Sequence, residues 1–165
     1  MPSARARIRP FRPDDLPAMQ RIRKAAFRAV FQSFRDIVGE QIYMLGLARS
    51  DPEQAQLLED LCRPESAYRV FVVSIDDAIV GFFSFTIDAA KRTGEIGLNA
   101  VHPDHAGRGV GTEMYAYAMA RMKESGMALA TVSTGGDPSH AAARRAYEKA
   151  GFGHAIPSVF LYKVL

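Results

Sequence analysis

Val101-His-Pro-Asp-His-Ala-Gly-Arg-Gly-Val-Gly-Thr112 sets three glycines, Gly107, Gly109 and Gly111, between a stretch of alternating residues and a stretch of helical spacing. Before it, Glu95 to Val101 alternates polar or small residues with Ile96, Leu98 and Ala100, the period of a half-buried strand. After it, Val110, Met114, Tyr117, Ala118 and Met122 recur at helical spacing until Glu124-Ser125-Gly126 supplies a stop. The glycines therefore sit where the chain turns from strand to helix, with amides free to point outward and no side chains in the way. The first N–H groups of a helix have no partner inside it and carry the positive end of its dipole, so a diphosphate satisfies both. Two familiar glycine loops do not match. A Walker loop ends in Gly-Lys-Ser/Thr, where this chain has Gly-Val-Gly-Thr. A dinucleotide fingerprint is Gly-x-Gly-x-x-Gly in a first βαβ unit, and here the spacing is Gly-x-Gly-x-Gly, late in the chain. Taken alone, the segment is either a phosphate cradle or a tight turn with no ligand.

Working outward, Arg5–Phe11 predicts a first strand, and Pro13-Asp14-Asp15 starts a helix running through Arg28 or beyond, its acidic residues suited to the positive end. Further helical regions are expected over Val38–Arg49 and Pro52–Cys62. Tyr68–Ile75 and Ile79–Ile87 are apolar and rich in β-branched or aromatic residues, joined at Asp76-Asp77 as a hairpin. Beyond the glycine loop and its helix follow a strand over Ala128–Ser133, a helix over Ser139–Ala150 and a final strand over Ser158–Val164. The pattern is mixed α/β, with no repeat, low-complexity tract or linker. A length of 165 residues, 48% apolar and 24% charged, suits one domain over residues 1–165.

The balance of 21 basic against 18 acidic residues gives a net charge of +3, too mild to require nucleic acid or an anionic membrane as partner, though a polyanionic ligand would account for some of it. Cys62 is the only cysteine, so no intrachain disulfide forms, and Cys/His spacing suited to zinc is absent; no metal is expected. The N-terminus Met-Pro-Ser-Ala-Arg-Ala-Arg lacks the apolar run of a secretory signal, and no apolar stretch nears the roughly 18 residues that span a bilayer. Cytoplasmic residence is the resulting expectation. A homodimer stays open.

The stretch Asn99-Ala-Val-His-Pro-Asp-His-Ala-Gly-Arg-Gly-Val-Gly111, with His140-Ala-Ala-Ala-Arg-Arg-Ala-Tyr-Glu-Lys-Ala-Gly-Phe152 further on, resembles the two signature blocks of the GNAT N-acetyltransferases. In that superfamily the first block runs from Val-x-Pro into Gln/Arg-x-x-Gly-x-Gly/Ala, whose backbone amides hold the diphosphate of coenzyme A, and the second ends in Tyr-x-x-x-Gly-Phe. Ala106 replaces the usual Gln or Arg, and His140 stands where Asn is frequent. The first change removes a side-chain contact and leaves the amides. The N-terminal Ile8-Arg-Pro-Phe-Arg-Pro-Asp-Asp-Leu16 opening and the central hairpin also look like this family. The resemblance implies an α/β (α+β) fold, a mostly antiparallel twisted mixed sheet of six to seven strands with helices on both faces. It also implies acetyl transfer from acetyl-coenzyme A to a primary amine, of a small molecule or a peptide, by direct attack. A coenzyme A-binding sensor or interaction module that has lost turnover is the alternative from another class, and a nucleotide-phosphate-binding protein a weaker third.

Carried over residue by residue, the resemblance assigns the diphosphate to Gly107, Arg108, Gly109, Val110, Gly111 and Thr112, and gives Val101 backbone hydrogen bonds to the pantetheine arm, like a strand added to a splayed sheet edge. It puts the Tyr147 hydroxyl near the coenzyme A sulfur. A phenol near pKa 10 protonating a thiolate near 8.5 is uphill by about 1.5 units, roughly 2 kcal/mol, so hydrogen bonding to developing charge matters more than complete transfer. Glu95 is the base candidate. A lysine-like amine near pKa 10.4 costs about 4.6 kcal/mol to deprotonate at pH 7, and base assistance worth roughly 10² to 10⁴ offsets much of that. Asn99 shares a face with Glu95 by alternation, provided no bulge intervenes. A backbone N–H near Asn99 or Val101 would serve the developing oxyanion. His140, in the first turn of its helix with Asp137 as N-cap and Pro138 after it, lies about 10 Å along the axis from Tyr147 and reads as a structural or cofactor-edge residue. Arg144 and Arg145 lie on the same helix, where a 3′-phosphate contact competes with a solvated reading. His102, His105 and His154 read as solvated. Phe27, Phe31, Phe34, Ile42 and Tyr43 read mostly as core, with one or two shaping an acceptor wall. Cys62 reads as a buried, inert thiol.

Overall fold

The computed structural model describes residues 6–165, so Arg5, the first residue of the expected opening strand, lies outside the described residues. In chain order the elements are β1 (Arg7–Pro10), α1 (Leu16–Val38), α2 (Glu40–Gly46), α3 (Ser50–Leu61), β2 (Arg69–Ile75), β3 (Ala78–Asp88), β4 (Thr93–Val101), α4 (Val110–Glu124), β5 (Leu129–Val132) and α5 (Ala141–Lys149). The sheet runs β1-β2-β3-β4-β5. It is antiparallel as far as β4, and β5 then joins β4 in parallel. A parallel neighbour needs a crossover, and α4 supplies it. The β2–β3 hairpin turns at Asp76 and Asp77, whose φ angles of 48° and 65° are both left-handed, the turn chemistry that matches strand twist.

Alternation along the central strands divides the core between two faces. Phe71, Phe83 and Phe85 stack on one face, with centroids 5.3 and 5.7 Å apart, beneath Met114, Ala118 and Met122 of α4. Val70, Val72 and Phe82 point the other way, against Met19 and Ile22 of α1 and Leu58 and Leu61 of α3. Two charged side chains are buried with the second layer. Asp15 accepts both arms of the Arg9 guanidinium at 2.7 and 2.8 Å and the Arg12 N–H at 2.7 Å, tying β1 to the start of α1. Arg23 is held by Gln20, Asp51 and Gln54. Each buried charge has its hydrogen bonds met, the condition under which such groups are tolerated.

The sheet has five strands, not six to seven. The strand expected over Ser158–Val164 does not form: residues 152–165 carry no regular structure. The segment has a strand's composition, but a strand exists only against a ladder partner, and in a single chain this one lies off the sheet. Helical expectations shift by a few residues: α1 continues ten residues past Arg28 to Val38, and the region expected over Val38–Arg49 is the shorter α2, set off by Gly39.

One irregularity positions the site. Across β3 and β4 the partners are Phe83↔Asn99 and Phe85↔Ile96, so β4 carries an extra residue between Ile96 and Asn99. Ile96 packs in the α4 layer, whereas Leu98 and Ala100 pack in the α1 layer. A bulge therefore intervenes in β4, and Glu95 and Asn99 lie on opposite faces of the sheet rather than sharing one.

Candidate functional site

β4 and β5 pair only from Thr93↔Leu129 to Ile96↔Val132. Beyond Ile96, β4 continues to Val101 without β5, and the sheet splays open there. A cleft of about 330 Å³ lies at the opening, between Phe27 and Val30 of α1, Asn99 to Val101 of β4, the glycine loop and the first turns of α5. That volume is within the range of small-ligand sites.

The glycine loop forms one wall. Gly107 and Gly109 have φ angles of 74° and 86°, left-handed values that a side chain resists, and Gly109 is the N-cap of α4. The N–H groups of Gly109, Val110, Gly111 and Thr112 make no hydrogen bond among the described residues. A Cβ built on Gly107 or Gly109 meets nothing within 4 Å. Unpaired donors at a helix start, on a loop with open space beside Gly107 and Gly109, fit a diphosphate. Gly107, Gly109, Val110, Gly111, Thr112 and Val101 all line the cleft. Arg108 is exposed on the loop and is not among the lining residues. Ala106 lines the cleft where the family's Gln or Arg would stand.

Deeper in the opening, three side chains form a relay. The Tyr115 hydroxyl donates to Asn99 Oδ1 at 2.9 Å, and Asn99 Nδ2 donates to the Tyr147 oxygen at 3.1 Å and to the Gly97 carbonyl at 2.9 Å. The two phenol rings pack with centroids 4.4 Å apart. Burial, together with the adjacent Tyr147, raises the Tyr115 pKa far above the ordinary phenol value, so Tyr115 remains a neutral donor. Because Tyr147 accepts from Asn99, its own proton is left for another acceptor. Asn99 and Tyr115 line the cleft, whereas Tyr147 is buried immediately behind Asn99. Sequence reasoning singled out Tyr147, gave Asn99 no fixed role and passed over Tyr115. The only signal for Tyr115 was a second tyrosine one helical step from the Met114 core position, which spacing alone cannot distinguish from packing.

Glu95 stands apart from these residues. It is exposed, does not line the cleft, and faces Tyr68 on the α1 side of the sheet, where burial and the Glu95 charge together raise the Tyr68 pKa. His140 lines the cleft edge as part of a compact turn. Asp137 Oδ1 lies 2.6 Å from His140 Nδ1, Ser33 of α1 donates to Oδ2 at 3.0 Å, Ser139 donates its N–H at 3.1 Å and also its hydroxyl, and the imidazole stacks on Phe34. Arg144 is spent within the same turn, donating to the Gly135 and Asp137 carbonyls, whereas Arg145 reaches the cleft. Burial alone would push the Asp137 carboxyl up, but hydrogen bonds from Ser139, His140 and Ser33 outweigh it and hold the pKa at about 2. A carboxylate depressed in the folded state stabilises above its unfolded pKa near 3.9, and that contribution is lost as pH falls toward 2. Melting curves between pH 2 and 7 are expected to show about 2 kcal/mol of acid-dependent stability that Asp137→Asn removes; an unchanged pH slope in the variant would contradict the assignment.

Cys62 is half-buried rather than buried, and that partial burial raises its thiol to about 11, which makes it a poor nucleophile. Among the described residues no group of three or more His, Cys, Asp or Glu is placed to hold a metal ion, and no helix is long and apolar enough to cross a membrane.

The sequence model of the acetyltransferase (GNAT) family matches residues 24–152. The chain belongs to that family. Its matched span runs from α1 to the end of the second signature block and takes in the loop, the relay and the opening between β4 and β5. Solved structures similar to this GNAT fold include a PaiA N-acetyltransferase from Thermoplasma acidophilum in complex with coenzyme A, at 16% identity and a TM-score of 0.68, covering 90% of each chain. The ribosomal-protein-S18-alanine N-acetyltransferase from Escherichia coli is similar at 20% identity and a TM-score of 0.64, covering 92% of this chain and 80% of that one. An aminoglycoside acetyltransferase from an uncultured soil metagenomic sample aligns at 20% identity and a TM-score of 0.62, over 97% and 96% of the two chains. No curated protein sequence matches significantly.

Proposed function

We propose that this GNAT domain transfers an acetyl group from acetyl-coenzyme A to a primary amine by direct attack. The supporting observation is the convergence, at one cleft, of unpaired amides at the α4 start, an unpartnered edge of β4 and the Tyr115–Asn99–Tyr147 relay. The loop amides from Gly107 to Thr112 hold the diphosphate, and the free edge near Val101 takes the pantetheine amides as an added strand. Acetyl-coenzyme A supplies the activated acetyl group. Asn99 fixes the Tyr147 oxygen so that its proton meets the negative charge arriving on the departing sulfur, and a main-chain N–H of β4 near Asn99 or Val101 serves the carbonyl oxygen as it becomes tetrahedral. The proton lost by the attacking amine leaves toward Glu95, which stands on the sheet face opposite the relay, so acceptor and cofactor approach from different sides. Similar proteins are named for acceptors as different as a ribosomal-protein alanine and an aminoglycoside, which leaves the acceptor class open between peptide and small-molecule amines.

The test is release of free thiol from acetyl-coenzyme A against a panel of amines. Steady turnover with at least one amine is expected; tight coenzyme A binding without turnover on any amine would favour the sensor reading. Glu95→Gln is expected to lower kcat/KM at pH 7 about tenfold, the low end for base assistance because solvent reaches this carboxylate, and to lose less at pH 9, where the amine is already largely neutral. Equal losses at both pH values would remove Glu95 from proton transfer.

A further inference from the structure

α1 carries its charge unevenly. Five of its side chains are basic, Arg21, Arg23, Lys24, Arg28 and Arg35, and only Asp36 is acidic. At 100° per residue, positions 24, 28, 31 and 35 fall within an arc of about 60°, so Lys24, Arg28, Phe31 and Arg35 share one face of the helix. A cavity of about 230 Å³ opens over that face, between it and Tyr43 of α2 and Asp51 of α3. It shares no lining residue with the cleft of the glycine loop.

The cations of this cavity lack counter-charge. Lys24 and Arg28 are exposed and make no side-chain hydrogen bond or ion pair among the described residues. Asp51, the only carboxylate in the lining, is taken by Arg23 at 2.7 Å. The Arg35 guanidinium lies over the Tyr43 ring at 4.5 Å, and Glu40 Oε2 stands 3.1 Å from its Nε without hydrogen-bond geometry, so no Arg35 N–H is spent on a hydrogen bond among the described residues. Like charges at i and i+4, as Lys24 and Arg28 are, destabilise a helix, and exposed helix faces ordinarily alternate sign. An oxyanion set between them turns that repulsion into charge-assisted hydrogen bonds. Phe31 and Tyr43, both half-buried, give the cavity apolar walls against which such contacts are less screened than in open water.

Phe27 lines the cleft, Phe31 lines the cavity, and their rings are 6.2 Å apart, so one aromatic pair separates the two spaces. The glycine loop and α5 are the walls that suit the cofactor, which leaves the α1 wall of the cleft to the acceptor. Glu95, the base candidate, stands on the α1 side of the sheet as well. We propose, on the premise of acetyl transfer, that Lys24, Arg28 and Arg35 hold a carboxylate or phosphate carried by the acceptor, so that the amine acetylated here belongs to an anionic molecule. With one aromatic pair to cross, amine and anion stand roughly 10 Å apart, about three extended residues. An acceptor rich in further amines meets like charge at the same place and is selected against.

The experiment compares thiol release from acetyl-coenzyme A for acceptors matched in all but one charge. One arm uses alanine-leading peptides with Asp or Asn at the second, third or fourth position, the other ω-amino carboxylates of graded length with their carboxamides, so the arms tell a peptide source of the anion from a small-molecule one. In at least one pair the charged member is expected to show a kcat/KM at least tenfold higher, and Lys24→Gln combined with Arg28→Gln to bring that ratio close to one. Turnover with equal kcat/KM in every pair, or a preference that survives the double variant, would overturn the proposal and leave acetyl transfer standing. A second readout needs no turnover: in nitrogen-15 spectra of the full chain, inorganic phosphate is expected to shift the signals of Lys24, Arg28, Arg35 and Tyr43, resolved from any shifts at residues 107–112. No shift at those four residues would overturn the site, and shifts there without turnover on any amine would sink acetyl transfer and the acceptor role with it.

Discussion

Gly109→Val is expected to weaken coenzyme A binding about 100-fold or more while the domain stays folded. Gly109 has a φ of 86° and caps α4, and a β-branched residue there meets the full steric cost of the left-handed region, of order 1–2 kcal/mol. A Cβ there meets nothing within 4 Å, and Gly109 lines the cleft, so the added side chain would stand at the cleft wall. In the free variant the loop relaxes out of the left-handed conformation, so binding must restore it, and that cost with the lost approach reaches the roughly 2.7 kcal/mol that a 100-fold change requires. Gly126, at the other end of α4, provides the control: its φ is 83° and its Cβ site is equally open, but it does not line the cleft. Gly126→Val carries the same backbone strain and is expected to leave coenzyme A affinity within about twofold while lowering the melting temperature comparably. Equal affinity losses in the two variants would show that Gly109 matters for helix stability and not for an anion.

Tyr147→Phe is expected to lower kcat by about 100-fold and leave the KM for acetyl-coenzyme A within about twofold. The phenylalanine keeps the ring against Tyr115 and the edge contact with Phe152 at 6.0 Å, so packing is retained. What it removes is the oxygen to which Asn99 donates, and with it the proton aimed at the leaving sulfur. Asn99→Ala should lose a similar factor by releasing the same phenol. The double variant should be little worse than either single one, because the two residues act as a unit and their effects do not add. Full additivity, or a KM that rises as kcat falls, would recast Tyr147 as a packing residue behind the cleft wall.

The sequence disclosed what depends on local chemistry. The glycine loop is legible because left-handed backbone and a bare helix start leave glycines where no other residue serves, and the paired aspartates at residues 76 and 77 announce a hairpin for the same reason. Asp137-Pro138 marks the start of the last helical region because a side-chain acceptor and a missing N–H both suit that position. What stayed hidden depends on registry. Glu95 and Asn99 share a face under simple alternation, and one extra residue in β4 separates them; nothing in Glu-Ile-Gly-Leu-Asn declares that bulge. Tyr115 was hidden for a related reason, since its role comes from Asn99 on another element meeting it across the opening. The Ser158–Val164 strand failed in the opposite direction: its pattern is present in the residues, but no strand of the sheet pairs with it.

The central claim is that main-chain donors from Gly107 to Thr112 hold a diphosphate, and calorimetric titration of the protein with coenzyme A and with pantetheine tests it most directly. The two ligands share the thiol-bearing arm and differ in the nucleotide and its diphosphate. Binding of coenzyme A in the micromolar range, with pantetheine at least 100-fold weaker, is the predicted result. No heat with coenzyme A at millimolar concentration, or equal affinity for the two ligands, would contradict it.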